Sequence, residues 1–215
     1  MSEYNPININ TSAVGAIIVA AGKGSRMGFG FNKVFADLCG KPVLDHTISA
    51  FAESGLVGTL VLVISPEYEG KAANICLPYK EKLNIILAFG GAERQDSVYN
   101  GLKALPKNVD VVLIHDGARP FVDRRIIEDS IYKAMAHGAA CAGIPAKDTI
   151  KIVDDENTVI STPERRFLWQ AQTPQSFKKD IIINAYIYAA ESGIRETDDA
   201  GVAEKAGFKV VMFEG

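Results

Sequence analysis

Along the chain, unbroken apolar runs alternate with segments whose apolar residues recur every three or four positions. Val14–Ala21 is an apolar run rich in β-branched residues and alanine, the pattern of a strand buried on both faces. It stops at Gly22, and Gly22–Phe35, rich in glycine and basic residues, predicts a loop. Pro42 suits the first residue of a helix, and Leu44, Ile48 and Phe51 follow at helical spacing. Thr59–Ile64 predicts a second strand, followed by a weaker helical stretch around Tyr68–Leu77. Asn84–Phe89 predicts a third strand, ending at Gly90-Gly91 before a helix with Val98, Leu102 and Leu105 on one face. Val109–Ile114 is a fourth buried run and leads into His115-Asp116-Gly117. Ile127, Ile131, Ala134 and Met135 mark a helix closed by Gly138, and Ala139–Ile144 is a fifth strand.

Strand, loop and helix thus alternate four times. This predicts an α/β fold, Rossmann-like and doubly wound, with a mainly parallel sheet covered by helices on both faces. The alternation then breaks. Thr149–Val153 sets Ile150 and Ile152 on one face, Asp154–Asn157 is a polar turn and Thr158–Ser161 returns, a β-hairpin arm over about 148–164 that protrudes from the body. Helical patterns resume at Lys179–Glu191 and Asp199–Lys205, and Lys209–Phe213 reads as a late strand. The expected organisation is one domain over 14–215, preceded by a disordered or tag-like extension over 1–13.

Composition narrows the function classes. With 47% hydrophobic and 23% charged residues and a net charge of −3, the chain is neither a general nucleic-acid binder nor a polybasic membrane anchor. Runs such as Ala16–Ala21 and Leu60–Ile64 are too short to span a bilayer, and Met1–Ser12 lacks the features of a signal peptide. Cys39, Cys76 and Cys141 form no CxxC pair, so neither a disulfide framework nor a zinc knuckle is indicated. Reduced thiols and a cytoplasmic location are expected.

Ligands of open parallel sheets bind at the carboxyl ends of the strands, and three such ends carry unusual polar sequences: Gly22–Lys33, Gly90–Ser97 and His115–Arg119. The first belongs to Ala20-Ala21-Gly22-Lys23-Gly24-Ser25-Arg26-Met27-Gly28, with Lys33 beyond it. Its small residues let backbone N–H groups approach phosphate oxygens. It is neither a P-loop nor a dinucleotide fingerprint, since Met27 stands where a third glycine is required. Arg26 and Lys33 suit neutralisation of a triphosphate and of the charge that builds during its transfer; the plainer alternative is a glycine turn with solvated lysines. In the second segment, glycine backbone can bond a base edge and the following helix N-terminus favours anions, or Asp96 or Ser97 simply caps that helix. In the third, Asp116 can hold a magnesium ion, directly or through water, or pair with Arg119; His115 reads as a hydrogen-bonded packing residue. No GxSxG elbow, HExxH motif or activated cysteine occurs, which fits a reaction whose nucleophile belongs to the substrate.

The strings AAGKGSRMG with Lys33, GGAERQDSV, HDGARPF, AKDTIK and RRFLWQAQTPQ, with Thr197-Asp198 near the end, together resemble the 2-C-methyl-D-erythritol 4-phosphate cytidylyltransferases, within the sugar-nucleotidyltransferase group. The resemblance runs from about Ala16 to Gly215. It implies transfer of a cytidylyl group from CTP to methylerythritol phosphate with release of pyrophosphate, and Mg²⁺ as cofactor. Carried over by position, it assigns Ala20, Ala21, Gly22 and Gly24 to the triphosphate, and Gly91, Ala92, Ser97 and Thr173 to the rest of the nucleotide. Arg26 and Lys33 become the transition-state residues, while Asp116, Arg119, Thr149, Arg165 and Thr197 serve the polyol phosphate. It further implies a homodimer in which the hairpin arm reaches the neighbouring subunit, so that Thr149 and the catalytic Arg165 complete the neighbour's site. Ala92 stands where some relatives carry an acid, and relatives normally continue past Gly215 with a lysine-bearing segment and a last helix. A ribitol-5-phosphate cytidylyltransferase is the close alternative, although its members tend to carry AGGTGTRM- and HDSVRPF-like strings. The second alternative is a non-catalytic nucleotide-binding protein on the same scaffold.

Overall fold

The computed structural model describes residues 9–22 and 32–215. In chain order the elements are β1 (Val14–Val19), β2 (Asp37–Leu38), β3 (Lys41–Pro42), α1 (Val43–Ser54), β4 (Thr59–Ile64), α2 (Glu69–Cys76), β5 (Asn84–Phe89) and α3 (Arg94–Ala104). They continue with β6 (Val111–Asp116), α4 (Arg124–His137), β7 (Ala139–Pro145), β8 (Ile152–Val153), β9 (Val159–Ser161), β10 (Trp169–Lys178), α5 (Lys179–Glu191), α6 (Asp199–Lys205) and β11 (Val211–Glu214). Seven strands form one sheet in the order β11-β7-β10-β6-β1-β4-β5. Its pairings are parallel except those of β10, which runs antiparallel to both β6 and β7.

The unbroken apolar runs have a direct cause: the sheet is buried on both sides. Ala16, Ile18, Leu60, Leu62 and Leu113 pack on one face with Leu44, Ile48, Phe51, Ile127 and Ile131 of α1 and α4. Ile17, Val61, Val63, Val112 and Ile114 pack on the other with helices α3, α5 and α6, through residues such as Val98, Leu102, Ile182 and Val202. Each large side chain removed from water in this way contributes about 1.5–3 kcal/mol. Helix ends follow local chemistry. Asp123 caps α4, its carboxylate accepting from Ile126 N–H at 2.8 Å. Gly138 closes the helix with a φ of 90° that disfavours side chains. Pro42 stands just before α1 instead of inside it.

The structure adds one element and changes two further expectations. The ten-residue β10 was not predicted from its mixed sequence, and it enters the middle of the sheet. In the hairpin, the paired residues reduce to Ile152–Val153 and Val159–Ser161, which bond to each other outside the main sheet; residues 147–162 are all exposed. Within the expected extension over 1–13, residues 9–13 belong to the folded body: Ile9 packs on the core and Asn108 Nδ2 donates to the Ser12 carbonyl at 2.7 Å. Residues 1–8 lie outside the described residues, as do Gly24 and Arg26. No helix among the described residues is long and apolar enough to cross a membrane.

Candidate active site

From β1 the chain winds outward to β4 and β5, then returns across β1 to β6 on its other side. Such a reversal opens a crevice at the carboxyl ends of the two central strands. Ala20–Gly22 lies at the end of β1 and Asp116–Arg119 at the end of β6. The close approaches there favour glycine: a Cβ at Gly90 would stand 2.4 Å from the Ala21 Cβ, too close without a shift, and one at Gly117 would stand a tight 3.2 Å from the Ala20 Cβ. The three polar segments therefore meet in space. Buried Asn32 ties in the turn that carries Lys33, donating to the Ala20 carbonyl at 2.6 Å and accepting from Val34 N–H at 3.2 Å. Lys33 itself is exposed beside the end of β1.

The second segment is a built turn. Glu93, in extended backbone, is the N-cap of α3, and Asp96 completes a capping box by accepting from Glu93 N–H at 3.2 Å. The N-cap is thus Glu93, with Asp96 as its capping-box partner, where Asp96 or Ser97 was the expected cap. Arg195 donates to Asp96 at 2.6 Å, and that hydrogen bond is the main reason the Asp96 carboxyl sits below its usual range. Gly91 N–H donates to the Ser97 hydroxyl at 3.0 Å, and that hydroxyl donates to the Glu93 carbonyl at 3.0 Å. Ser97 is buried, whereas Gly91 and Ala92 are exposed. The Ser97 hydroxyl thus fixes the Gly91 backbone.

The third segment sits in a charge network. Asp116 Oδ1 faces Arg94 Nε and Nη2 at 3.4 and 3.3 Å, and its Oδ2 faces Arg119 Nε at 3.3 Å. Arg94 Nη2 also donates to Asp199 Oδ2 at 2.9 Å. Asp199 is fully buried, and its second oxygen accepts from the Tyr186 hydroxyl at 2.6 Å. Burial by itself would lower the basicity of Arg94, but the charge and hydrogen bond of Asp199, with Asp116 behind them, hold it above its ordinary value. Burial foremost, then Asp199, pushes the Tyr186 phenol well up. Arg94, Asp116, Arg119, Thr173, Gln175 and Thr197 line a cavity of about 260 Å³. Thr173 Oγ accepts from Asp116 N–H at 3.3 Å, and buried Gln175 ties β10 to α6 by donating to Asp198 at 2.8 Å and accepting from Ala200 N–H at 2.8 Å.

His115 is the packing residue its position suggested: fully buried, bonded through Nε2 to the Arg119 carbonyl at 3.0 Å and edge-on to Phe51. Thr149 and Arg165 stand apart from the cavity within one chain. Both are exposed, and Arg165 donates to the Lys147 carbonyl at 2.8 Å. Asp116 is a poor fit to a directly bound magnesium ion, because both its oxygens already face guanidinium groups. Among the described residues no three His, Cys, Asp or Glu side chains gather in a metal-binding group. Arg94 and Gln175 lie inside strings notable for other residues, and sequence reading gave them no role. Asp199 carries no local signal for its role, since Arg94 is 105 positions away, and Tyr186 acquires its role only through Asp199.

A sequence profile of the 2-C-methyl-D-erythritol 4-phosphate cytidylyltransferases matches residues 14–215. An enzyme of that name from Clostridioides difficile is 50% identical over 200 residues, covering 93% of this chain and 84% of its own. Another from Caldanaerobacter subterraneus is 44% identical over 203 residues, covering 94% and 89%. The crystal structure of 4-diphosphocytidyl-2C-methyl-D-erythritol synthase from Anaerococcus prevotii superposes with a TM-score of 0.85 at 31% identity, over 94% of this chain and 88% of the other. A Rossmann-like body, a glycine-bearing crevice at its switch point and these likenesses over nearly the whole length lead to one conclusion: the chain belongs to the 2-C-methyl-D-erythritol 4-phosphate cytidylyltransferase family.

Proposed function

We propose that the protein transfers the cytidylyl group of CTP to 2-C-methyl-D-erythritol 4-phosphate, releasing pyrophosphate. The observation that carries this reading is the meeting of Ala20–Gly22, Gly90–Gly91 and Asp116–Arg119 at one crevice, next to the turn that bears Lys33. The backbone of Ala20, Ala21, Gly22 and Gly24 would receive the triphosphate, Gly91 and Ala92 the cytosine side, with Ser97 holding Gly91 in place, and Thr173 a further part of the nucleotide. Asp116, Arg119 and Thr197 would hold the polyol phosphate.

The chemistry needs little beyond positioning and charge. A phosphate monoester with a second pKa near 6 is largely a dianion at neutral pH, so its oxygen attacks the α-phosphate in line without a general base. Alignment of two bound reactants can supply roughly 7–11 kcal/mol of the barrier in favourable cases. Lys33, and Arg26 as assigned from the sequence, would bind the charge that grows on the α-phosphate and the departing pyrophosphate. Magnesium belongs to the proposal as an ion that would arrive on the triphosphate oxygens and screen their charge. A cytoplasmic location and a homodimer are also part of it. Exposed Ile152, Val153, Val159 and Ile160 of the hairpin, with Phe167 at 71% exposure just beyond, offer an apolar surface suited to a second copy. Thr149 and Arg165 would then act at the neighbour's cavity.

Pyrophosphate release is measured with CTP and Mg²⁺, offering methylerythritol phosphate and ribitol 5-phosphate in parallel. Release with the first is expected. Release with ribitol 5-phosphate alone would reassign the substrate, and no release with either despite CTP binding would point to a non-catalytic nucleotide binder.

A further inference from the structure

We propose that Arg94 is a positioning residue: it is clamped from behind by buried Asp199 and in turn sets the carboxylate of Asp116 toward the polyol part of the substrate. This rests on the reading of the 260 Å³ cavity as the polyol phosphate site. Three observations carry it. Among the described residues, Arg94 is the one that bonds both acids, Asp199 at 2.9 Å and Asp116 at 3.3–3.4 Å. Asp199 is fully buried, and its remaining oxygen is held by the Tyr186 hydroxyl at 2.6 Å. Tyr186 is stacked on Tyr99 with ring centroids 5.9 Å apart, so the back of the chain of contacts is packed in place.

The charge accounting explains why two arginines stand here. A buried, unpaired carboxylate is strongly unfavourable, so the charge of Arg94 is committed to Asp199. Arg119, 43% exposed at its side chain, is the cation left to face a substrate phosphate. Asp116 accepts from Arg94 on Oδ1 and from Arg119 on Oδ2, and a carboxylate has about four lone-pair directions. Its remaining acceptor directions suit hydroxyl groups, which a polyol carries and a triphosphate does not. A guanidinium, unlike an ammonium, spans both acids with its planar fork, so Arg94→Lys is not a neutral change. The expected signature is selective: weaker use of the polyol phosphate with CTP binding retained.

The test compares wild type, Arg94→Lys, Tyr186→Phe and the double variant Arg94→Gln/Asp199→Asn, which removes both charges of the pair together and keeps a hydrogen-bonding pair. Melting temperature, CTP affinity by calorimetry and the KM for methylerythritol phosphate are measured on each. The double variant is expected to fold near wild-type stability and bind CTP within about twofold, yet to show a KM for the polyol phosphate raised at least tenfold; Tyr186→Phe should show a smaller rise of the same kind. A wild-type KM in the stable double variant would overturn the proposal, because Arg94 would then serve the fold alone. Equal losses toward CTP and the polyol phosphate would overturn it as well. Failure of wild type to use methylerythritol phosphate would instead strike the functional reading, and is seen before any variant is made.

Discussion

At the scale of single residues, His115 shows how burial decides protonation. Its Nε2 donates to the Arg119 carbonyl, which leaves Nδ1 as the bare nitrogen, and Nδ1 has no hydrogen-bond partner among the described residues. Adding a proton there would bury an N–H without an acceptor, and burial moves the pKa down to about 4. In the unfolded chain the same imidazole titrates near 6.5. Below that pH the unfolded state takes up a proton that the folded state refuses. The stability contribution is therefore complete above about pH 6.5 and is lost as pH falls toward 4. Between pH 7 and pH 5 the loss amounts to about 2 kcal/mol. Urea midpoints at those two pH values should separate in wild type and draw together in His115→Gln, whatever the variant's absolute stability. An unchanged separation would mean that other groups carry the pH dependence. His115 is legible in the sequence because it ends an apolar strand run. Asp199 is not: its role depends on Arg94 and Tyr186, which chain topology alone brings to it.

At the scale of elements, a strand buried on both faces writes itself as an unbroken apolar run, which is why Thr59–Ile64 has the predicted bounds; the half-buried edge strand Asn84–Phe89 has them too, set off by the polar residues and glycines around it. Trp169–Lys178 resists the same reading. Its Gln170, Gln172, Thr173 and Pro174 interrupt any apolar run, and it is a strand because β6 and β7 stand ready on either side to bond it. Its register shifts between Ala171 and Gln175, and in that stretch Thr173 and Gln175 line the cavity. The irregularity that hides the strand from the sequence thus belongs to the site. The hairpin raises the opposite question, since its apolar Ile152, Val153, Val159 and Ile160 stay exposed within one chain. If Arg165 serves the neighbouring subunit, Lys33→Ala and Arg165→Ala, each impaired alone, should complement when mixed. Random exchange makes half the dimers hybrid, and each hybrid has one intact site, so roughly a quarter of wild-type turnover should return. No recovery after verified subunit exchange would confine Arg165 to its own chain.

At the scale of the whole molecule, a protein of net charge −3 must bring together two anions that repel each other and gain nothing from its overall field. Capture therefore depends on local cations, and beyond roughly 8 Å at physiological salt their pull is screened. The same geometry bears on pH. Among the residues lining the cavity the titratable side chains are Arg94, Asp116, Arg119 and Asp198, and the imidazole nearest to it, His115, is buried and neutral down to about pH 4. The attacking group is then the substrate's own phosphate, which gains a proton near pH 6 and loses nucleophilicity with it. The acid limb of kcat/KM should fall with an apparent pKa of about 6, belonging to the free substrate. It should stay there in His115→Gln, even though the stability profile of that variant flattens over the same range. A limb that moved with the variant would make the imidazole part of the chemistry. A limb that stays, with turnover of the folded enzyme still intact at pH 6.5, would separate the two titrations: one governs how firmly the crevice is built, and the other governs what attacks within it.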